Sequence, residues 1–383
     1  MQQKRIMIVA GEASGEMYGA QLVEEVRRIN PSLSFIGMGG QRMREAGVEI
    51  LVDASDMAVV GLVEVVAHSG VIRRAYTTLR TVLREDPPQL LILIDYPDFN
   101  LLLARAAKKA GVRILYYISP QVWAWRAGRV HTIARLVDHM AVVFPFEVPF
   151  YEKTGLPVTF VGHPLVDMVK FTMPKTDAQA SLGLDTSLRT VGLFPGSRKG
   201  EIRRLFPTIL ETAKQLRDRF SDLQFVIPVA SSLTINDLQP YIDESGVRVT
   251  LVNGQVHDVI QACDAIVSVS GTVTTEIALL GVPMVIVYKV SPLTYFVGTK
   301  LIRVDHIGIC NIVLGERVVP ELTQHDAEPD KIADEVSRML TDRAYAENIR
   351  RKLLQVRGLL GDGGATRRVA RLAVDLLEQG KTR

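Results

Sequence analysis

The sequence predicts an α/β protein built of two doubly wound domains, each a parallel sheet covered by helices on both faces. The first half of the chain alternates short apolar runs with helical patterns, and the second half repeats this alternation. A length of 383 residues suits two domains that each have a core. Rossmann-like domains of this kind bind ligands at the carboxyl ends of their strands, so we expect them to face a central cleft.

Apolar runs predict the buried strands of both domains, and periodic apolar patterns predict helices between and after them. In the first domain the strands are expected at Ile6–Ala10, Leu90–Ile94, Val112–Ile118, Met140–Val143 and Val158–Val161. In the second they are expected at Thr190–Phe194, Leu223–Ile227, Arg248–Leu251, Ala265–Val269 and Met284–Tyr288. The helices singled out are Gly15–Ile29, Leu101–Ala110, Arg343–Leu359 and Ala365–Glu378.

Three segments follow from this pattern. Residues 1–165 form the first domain, and residues 166–364 form the second, which begins with a polar hinge over 166–186. Residues 365–383 form a last helix that crosses back to the first domain, as final helices of this fold class tend to do. The sequence leaves open whether that tail is exchanged between two protomers of a homodimer.

Composition narrows the function classes. The net charge of +3 is too small to indicate nucleic-acid binding, and 47% hydrophobic with 23% charged residues is ordinary for a soluble globular protein. Cys263 and Cys310 lie in apolar surroundings, which predicts buried free thiols and a reducing compartment. The chain starts directly with a strand and contains no apolar run of about 18 residues, so a cytoplasmic protein is expected.

A glycine turn in the second domain predicts an anion site. Thr190–Phe194 runs into Pro195-Gly196-Ser197-Arg198, and a helical stretch follows from Glu201. A helix start presents free N–H groups and a partial positive charge, and an arginine fork suits a phosphate. The chain therefore places a candidate diphosphate site at Ser197 and Arg198.

A second glycine turn follows the strand Ala265–Val269, and it reads Ser270-Gly271-Thr272-Val273-Thr274-Thr275-Glu276. Two such turns side by side suit a diphosphate and a sugar, which favours a nucleotide domain. Further along, Lys289 ends a buried strand, and Asn311 and Glu321 lie in or near a polar loop. Glu276 and Glu321 are candidate acceptors for ribose or sugar hydroxyls, although carboxylates on loops are most often solvated surface.

The first domain carries carboxylates where strands end. Glu12 and Glu16 follow the first strand, either as residues that favour the helix dipole or as groups facing the cleft. Asp95 and Asn100 are equally well explained as helix caps, whereas Asp98 is the better general-base candidate. A sugar hydroxyl that attacks an anomeric carbon needs such a proton acceptor.

Two tryptophans lie close together after another predicted strand. Trp123 and Trp125 precede Arg126, and two such side chains within three residues cannot easily both be core, so a ligand wall is predicted. His163, within Gly162-His163-Pro164, is compatible with a hinge hydrogen bond, a phosphate contact or general acid–base catalysis. The sequence does not choose among these three roles.

Seven motifs in order resemble the lipid-A-disaccharide synthase family, inverting glycosyltransferases of the GT-B fold. They are Gly-Glu-x-Ser-Gly at 11–15, Asp-x-Pro-Asp-Phe-Asn at 95–100, Ser-Pro-Gln-Val-Trp-Ala-Trp at 119–125, Gly-His-Pro at 162–164, Pro-Gly-Ser-Arg-x-x-Glu at 195–201, Ser-Gly-Thr-x-Thr-x-Glu at 270–276 and Pro-Glu-x-x-Gln at 320–324. The chain departs from the family at Glu16, where aspartate is usual.

The resemblance implies transfer from UDP-2,3-diacylglucosamine to 2,3-diacylglucosamine 1-phosphate, which gives a β-1,6-linked disaccharide and UDP. It implies Asp98, Glu12 and Arg198 as catalytic residues, with Asp98 as base on the acceptor hydroxyl. The implied donor-binding residues are Ser197, Arg198, Ser270, Gly271, Thr272, Thr274, Glu276, Asn311 and Glu321. The chain contains no Asp-x-Asp motif, so neither a metal nor another cofactor is expected.

Acylated substrates imply contact with the inner-membrane surface. The apolar segment Met57–Val66 and the cations Arg73 and Arg74 suit a peripheral attachment, although a buried core segment explains the apolar run equally well. The predicted acceptor, acyl or membrane-facing residues are Val59, Val60, Leu62, Val63, Val66, Trp123, Trp125 and Arg126.

Proteins with the rival functions would have the same kind of second domain. A UDP-N-acetylglucosamine 2-epimerase, or another transferase of a UDP-amino sugar, would differ mainly in the first domain. A non-catalytic nucleotide-sugar binding protein would keep Arg198 and residues 270–276 without needing Asp98.

Overall fold

The computed structural model describes residues 4–56, 69–122, 128–290 and 305–379. By its internal contacts the chain divides into two compact units. The first unit comprises Met1–Pro164 together with Gly361–Arg383, and the second comprises Leu165–Leu360. Each unit contains one parallel sheet, as the alternation of strands and helices predicts, so the doubly wound α/β class is confirmed.

The first unit contains a seven-stranded sheet in the order β3-β2-β1-β4-β5-β6-β7. Its strands are β1 Arg5–Ala10, β2 Ser34–Gly39, β3 Val48–Asp53, β4 Leu90–Ile94, β5 Arg113–Tyr117, β6 His139–Val142 and β7 Val158–Phe160. Its helices are α1 Ala13–Ile29, α2 Gln41–Glu45, α3 Ser69–Glu85, α4 Pro97–Lys109, α5 Arg129–Leu136, α6 Val148–Glu152 and, from the end of the chain, α16 Ala365–Glu378. Short 3-10 turns lie at Ala54–Asp56 and Pro145–Glu147.

The second unit contains a six-stranded sheet in the order β10-β9-β8-β11-β12-β13. Its strands are β8 Arg189–Phe194, β9 Leu223–Val229, β10 Thr250–Asn253, β11 Ala265–Val269, β12 Met284–Tyr288 and β13 Glu321–Thr323. Its helices are α7 Leu165–Met168, α8 Lys175–Ser181, α9 Lys199–Arg219, α10 Ile235–Ser245, α11 Val256–Ala262, α12 Thr272–Leu280, α13 Ile309–Leu314, α14 Pro329–Thr341 and α15 Arg343–Leu359. A 3-10 turn lies at Gln324–Asp326.

The central strands of both sheets are buried on both faces because helices cover them. In the first unit β4 is fully buried along its length and pairs with β1 in parallel, with Ala10 opposite Ile94. In the second, β8 pairs with β11, with Phe194 opposite Ser268. The continuous apolar runs that predicted these strands are therefore the cores of the two sheets.

The last helix, α16, packs on α1 of the first unit. The Lys4 ammonium donates to the Leu377 carbonyl at 3.2 Å, and the Arg368 Nε donates to the Val161 carbonyl at 2.8 Å. The buried residues of α16 include Val369, Ala373 and Leu376, which lie on the apolar face that predicted the helix.

Several elements differ from the predictions. Strands β2 and β3 were not predicted, because β2 contains glycines and β3 is only partly buried. The stretch containing Glu321, expected as a loop, supplies the edge strand β13. The residues expected as a polar hinge overlap helix α7 and include helix α8.

Candidate functional site

The first unit presents its candidate site where the strand order reverses, between β1 and β4. Gly11 and Glu12 follow β1, and Asp95 to Asp98 follow β4, so both segments lie at the carboxyl edge of neighbouring strands. Ligands of doubly wound sheets bind at this switch point. The topology thus brings together two motifs that are more than eighty residues apart in sequence.

The backbone at this edge is strained. Asp95 and Tyr96 have φ of 45° and 46°, and Ile118, which follows the adjacent β5, has φ of 66°. Such left-handed conformations are costly for bulky and β-branched residues and tend to cluster at functional sites. Hydrogen bonds hold the strained turn: the Asp95 carbonyl accepts from Asn100 Nδ2 at 2.6 Å and from the Tyr116 hydroxyl at 2.7 Å.

Asn100 is fully buried, and it supports the turn instead of capping a helix with its side chain. Its Nδ2 also donates to the Ile94 carbonyl at 3.1 Å, so it ties the end of β4 to the strained turn. Helix α4 begins after Tyr96, whose side chain makes no capping hydrogen bond.

Asp98 lies in the first turn of α4, and its side chain is 73% exposed. One carboxylate oxygen forms an ion pair with Arg129, the first residue of α5, whose side chain is only 22% exposed. Because the guanidinium comes from a different helix, it restricts the carboxylate to a limited set of orientations. The helix N-terminus next to it also favours a negative charge.

Tyr96 connects the two motifs of this edge. A Cβ placed on Gly11 would lie 2.4 Å from Cδ1 of the Tyr96 ring, so the ring rests directly on the glycine backbone. The pKa of Tyr96 is raised, chiefly by burial and further by the negative charges of Glu12 and Asp98. The Tyr96 phenol is therefore close enough to both predicted catalytic carboxylates, Glu12 and Asp98, for their charges to raise its pKa.

Glu16 has a structural role. Its Oε1 accepts from the Arg42 backbone N–H at 2.7 Å, at the start of α2. A Cβ on Gly40 would lie 2.7 Å from the Glu16 carboxylate, so the glycine makes room for this contact. The carboxylate at position 16 binds a neighbouring helix start, which leaves Glu12 as the carboxylate at the end of β1.

His163 is 7% exposed and packs against aromatic rings of the first unit. Its ring centroid lies 5.3 Å from that of Phe144 and 6.3 Å from that of Tyr18. Burial lowers the pKa of His163 to about 3. The imidazole is therefore neutral near pH 7, which argues against a role as a phosphate-binding cation.

The second unit reverses its strand order between β8 and β11, and the two glycine turns lie there. Pro195 to Arg198 connect β8 to α9, and Ser270 and Gly271 connect β11 to α12. The sheet therefore places side by side the two turns that the sequence predicts as a diphosphate and sugar site.

An internal carboxylate occupies the first helix start. Glu201 Oε2 accepts from the backbone N–H of Ser197 at 2.9 Å and of Arg198 at 3.2 Å, and its Oε1 accepts from the Arg198 guanidinium at 3.1 Å. The N–H groups expected to bind the donor phosphate are thus already engaged. The Arg198 side chain is 64% exposed. An ion pair this exposed to solvent contributes about 1 kcal/mol or less to stability. The guanidinium can therefore turn from Glu201 toward another anion.

Tyr288 lies at the carboxyl end of β12, beside the same charged groups. Burial raises its pKa, the negative charge of Glu201 raises it further, and the cations Arg198 and Arg204 oppose the shift. Arg204 also donates to the Lys289 carbonyl at 3.2 Å. Arg204 and Tyr288 are therefore neighbours of Arg198 that the sequence did not single out.

The second turn divides into exposed and buried residues. Gly271 and Thr272 are exposed, whereas Thr274 is 1% exposed and its hydroxyl donates to the Gly271 carbonyl at 2.7 Å. The Ser270 backbone N–H donates to the Val287 carbonyl at 3.2 Å. Thr274 therefore stabilises the turn, and Gly271 and Thr272 remain accessible at the helix start.

Glu276 lies one turn further along α12, and its side chain is 14% exposed. Its Oε2 accepts a hydrogen bond from His257 Nε2 at 2.9 Å. Sequence reasoning missed His257 because the pairing depends on the packing of α11 against α12, which no local pattern reports.

Asn311 and Glu321, predicted as donor-binding residues, bind the chain itself. The fully buried Asn311 amide donates to the Val319 carbonyl and accepts from the N–H groups of Val318 and Val319. The Glu321 carboxylate accepts from the N–H groups of residues 307 and 308 at 2.9 Å each and from Asn311 at 2.7 Å. These contacts shape the segment before β13, and the donor-binding roles of Asn311 and Glu321 stay predictions.

The remaining predicted site residues lie outside the described residues. They are Val59, Val60, Leu62, Val63, Val66, Trp123, Trp125 and Arg126. Cys263 and Cys310 are free and buried, as predicted, and burial raises the pKa of both thiols.

Within the described ranges, no cluster of three or more His, Cys, Asp or Glu side chains is placed to hold a metal ion. Over the same ranges, every helix is too short or too polar to span a bilayer. A groove of about 430 Å³ in the second unit lies at the opposite end of α12 from Gly271, so it is separate from both glycine turns. Its lining residues are Lys170, Phe171, Leu279, Leu280, Arg350, Leu354 and Arg357.

This chain has two parallel-sheet α/β units, each with polar groups at its switch point, and these are features of GT-B proteins. Solved structures of this class are similar over nearly the whole chain. A UDP-GlcNAc 2-epimerase from Neisseria meningitidis bound to UDP-GlcNAc has a TM-score of 0.68 at 13% identity, with 97% of this chain and 100% of the other covered. The calicheamicin glycosyltransferase CalG4 has a TM-score of 0.61 at 16% identity, with 99% of each chain covered. Identities this low show the fold alone.

The sequence comparisons define the particular family. The family model for lipid-A-disaccharide synthetase matches residues 6–364. The lipid-A-disaccharide synthase of Geobacter sulfurreducens is 66% identical over 373 residues, which cover 97% of each chain. The chain belongs to the lipid-A-disaccharide synthase family. Its activity is accordingly hexosyl transfer in lipid A biosynthesis, which favours the predicted transferase over the epimerase and the non-catalytic binder.

Proposed function

We propose that this glycosyltransferase joins UDP-2,3-diacylglucosamine to 2,3-diacylglucosamine 1-phosphate by an inverting single displacement. The acceptor hydroxyl attacks the anomeric carbon of the donor, the glycosidic bond to the diphosphate breaks, and UDP leaves. Two groups are needed: an acceptor for the hydroxyl proton and cations for the charge that builds on the leaving diphosphate. The observation that carries the proposal is the exposed Asp98 carboxylate at the switch point of the first sheet.

Asp98 is proposed as the general base. Its carboxylate is exposed enough to receive a proton, and the ion pair with Arg129 keeps it oriented. Glu12, at the end of the adjacent strand β1, is proposed to orient the acceptor sugar. Tyr96 lies in the same turn as Asp98 and restricts the positions of both segments through its contact with Gly11.

The second unit is proposed to bind the donor. Arg198 turns from Glu201 to the diphosphate, because its largely exposed ion pair is inexpensive to break. The exposed Ser197 side chain and the exposed helix start at Gly271 and Thr272, which the half-buried Ser270 precedes, complete the anion site. The Glu276 carboxylate is proposed to accept from hydroxyl groups of the nucleotide.

Acylated substrates require a contact with the inner-membrane surface, and we assign it to residues 57–66 and α3. Arg73, Arg74, Arg80 and Arg84 are exposed on α3, while Ala75, Leu79 and Leu83 of the same helix are buried in the core. A helix with this distribution offers cations to anionic headgroups. Replacing Val63 and Val66 by Ser, or Arg73 and Arg74 by Glu, should weaken co-sedimentation with anionic vesicles; unchanged partitioning of both variants would refute the assignment.

A homodimer formed by exchange of α16 is also compatible with the packing of this helix on α1. Exchange would reproduce the same contact between two protomers. Light scattering after size-exclusion chromatography measures whether the protein is a dimer, and a monomer at micromolar concentration would refute the exchange.

The decisive experiment measures UDP release in detergent micelles from UDP-2,3-diacylglucosamine, with and without the acceptor, and from UDP-N-acetylglucosamine as control donor. Release that requires both acylated substrates supports the proposal. Asp98→Asn should keep its UDP affinity and lose about 100-fold or more in turnover. Asp86→Asn is the matched control, since Asp86 also pairs with an arginine but precedes β4 at the other edge of the sheet. Equal turnover in both variants would refute the role of Asp98.

A further inference from the structure

His257 and Glu276 form a hydrogen-bonded pair beside the second glycine turn. The two side chains come from consecutive helices of the second unit, α11 and α12. The distance from His257 Nε2 to Glu276 Oε2 is 2.9 Å. Nineteen positions separate the two residues, so the pair exists only because the helices pack against each other.

The surroundings limit how far the carboxylate can move. The Glu276 side chain is 14% exposed and that of His257 is 30% exposed, so the pair is partly shielded from water. A carboxylate has two oxygens that accept hydrogen bonds, and the imidazole occupies one of them. In the described part of the chain, the structure gives the Glu276 carboxylate no second hydrogen bond. Its Oε1 can therefore accept a hydrogen bond from a ligand.

The histidine is itself held in place through its helix. Gln261, buried on the same helix, donates from Nε2 to the His257 carbonyl at 3.1 Å. The Gln261 Oε1 accepts from the Thr172 backbone N–H at 2.7 Å. The residue that precedes α11, Gln255, has a strained φ of 50°. The backbone that carries His257 is thus held by contacts of its own helix, and the imidazole itself contacts Glu276.

We propose that His257 is a positioning residue for nucleotide binding: it donates to one oxygen of Glu276 and so directs the other toward a hydroxyl group of the bound nucleotide. The inference rests on the proposed donor site and adds a residue to it. A carboxylate that rotates freely loses conformational entropy when the ligand binds, which weakens binding. A carboxylate already held by an N–H has lost that entropy before the ligand arrives. A hydrogen bond to a charged group is stronger than a neutral one, which suits this role.

The test measures UDP affinity by isothermal titration calorimetry in four variants. His257→Phe keeps a ring and removes the N–H, and His257→Gln keeps an N–H donor of similar reach. Glu276→Gln tests the carboxylate itself. His139→Phe is the matched control, because His139 donates to or accepts from Thr159 Oγ1 at the same 2.9 Å distance but lies at the start of β6 in the first unit.

His257→Phe should bind UDP about tenfold more weakly, with turnover at saturating donor nearly unchanged. His257→Gln should recover most of the affinity, and His139→Phe should bind as the unmodified protein does. Thermal unfolding of each variant checks that the fold is retained. This combination supports a hydrogen bond that positions Glu276, since a purely structural role would not separate the Gln and Phe variants.

Three results overturn the inference and point to different causes. Normal affinity in Glu276→Gln refutes the proposed donor role of Glu276 and, with it, the role of His257. Weak binding in Glu276→Gln but normal binding in His257→Phe refutes the role of His257 alone. Equally weak binding in His257→Phe and His257→Gln shows that the imidazole matters for packing and not for its N–H group.

Discussion

Gly11 and Tyr96 provide the sharpest test of how the first unit builds its site. The substitution Gly11→Ala adds one methyl group where β1 ends. Its Cβ would lie 2.4, 2.5 and 2.8 Å from three atoms of the Tyr96 ring, distances that Cβ contacts in proteins essentially never show. The ring or the backbone must therefore move.

The ring has little room to yield. Tyr96 is held in a left-handed conformation at φ 46°, and its ring packs against Phe99 with centroids 5.8 Å apart. Overpacking of this kind costs about 1–3 kcal/mol in stability. Because Asp98 lies two residues after Tyr96, a shift of the turn also displaces the proposed base, and we expect turnover to fall about tenfold or more.

Denaturant unfolding and the UDP-release assay measure the two effects. Gly15→Ala is the matched control, since its added Cβ would meet Ala10 and Ile94 at 3.5 Å, an ordinary contact, inside helix α1. The double variant Gly11→Ala/Tyr96→Ala should be less destabilised than the sum of the two single variants, because it removes the clash. UDP affinity should stay normal in all of them. If Gly11→Ala matches Gly15→Ala in stability and turnover, close packing of the Tyr96 ring on Gly11 does not hold this edge in place.

Two further predictions concern buried polar residues. The pKa of His163 is about 3 in the folded protein against 6.5 as the ordinary value, so the unfolded chain binds the extra proton and stability falls as the pH drops below 6.5, by about 1.4 kcal/mol per pH unit. His163→Phe should make the decline of the urea midpoint between pH 6.5 and about 4 shallower, and an unchanged slope would contradict the buried neutral imidazole. Asn311→Ala leaves the N–H groups of Val318 and Val319 without their acceptor and should cost about 2 kcal/mol or more, whereas Asn348→Ala on the exposed face of α15 should cost little. Thermal unfolding compares the two variants, and similar melting temperatures would refute the bracing role of Asn311.

The long apolar runs were predictable because each central strand is buried on both faces. Both faces of a strand such as Leu90–Ile94 are buried, so its residues are apolar without interruption. The bounds of such a strand therefore follow from composition. The edge strands carry a weaker signal: β3 is partly exposed, and β13 is only three residues long. The helix Ala365–Glu378 was predictable to the residue because a glycine run precedes it and its apolar face is regular.

The candidate site was predictable to the level of motifs. Strand, glycine turn and helix start recur in sequence, so the positions of Arg198 and Gly271 at helix starts follow from local chemistry. The groups that these side chains contact do not follow from local chemistry. Glu201 is an exception: it is the third residue of α9, and from that position a carboxylate reaches back to the N–H groups of the helix start that were expected to hold a phosphate.

Two doubly wound sheets, the family, and the segments that end at each switch point were all predictable without coordinates. The sheets and the segments follow from periodicity and from turn residues, which act over a few neighbours along the chain, whereas the family follows from the resemblance of seven motifs. The contacts of most polar side chains became known from the folded chain. It placed Arg129 on Asp98 and His257 on Glu276, and it directed Glu321 to backbone amides, because each contact joins elements that meet only after the chain has folded.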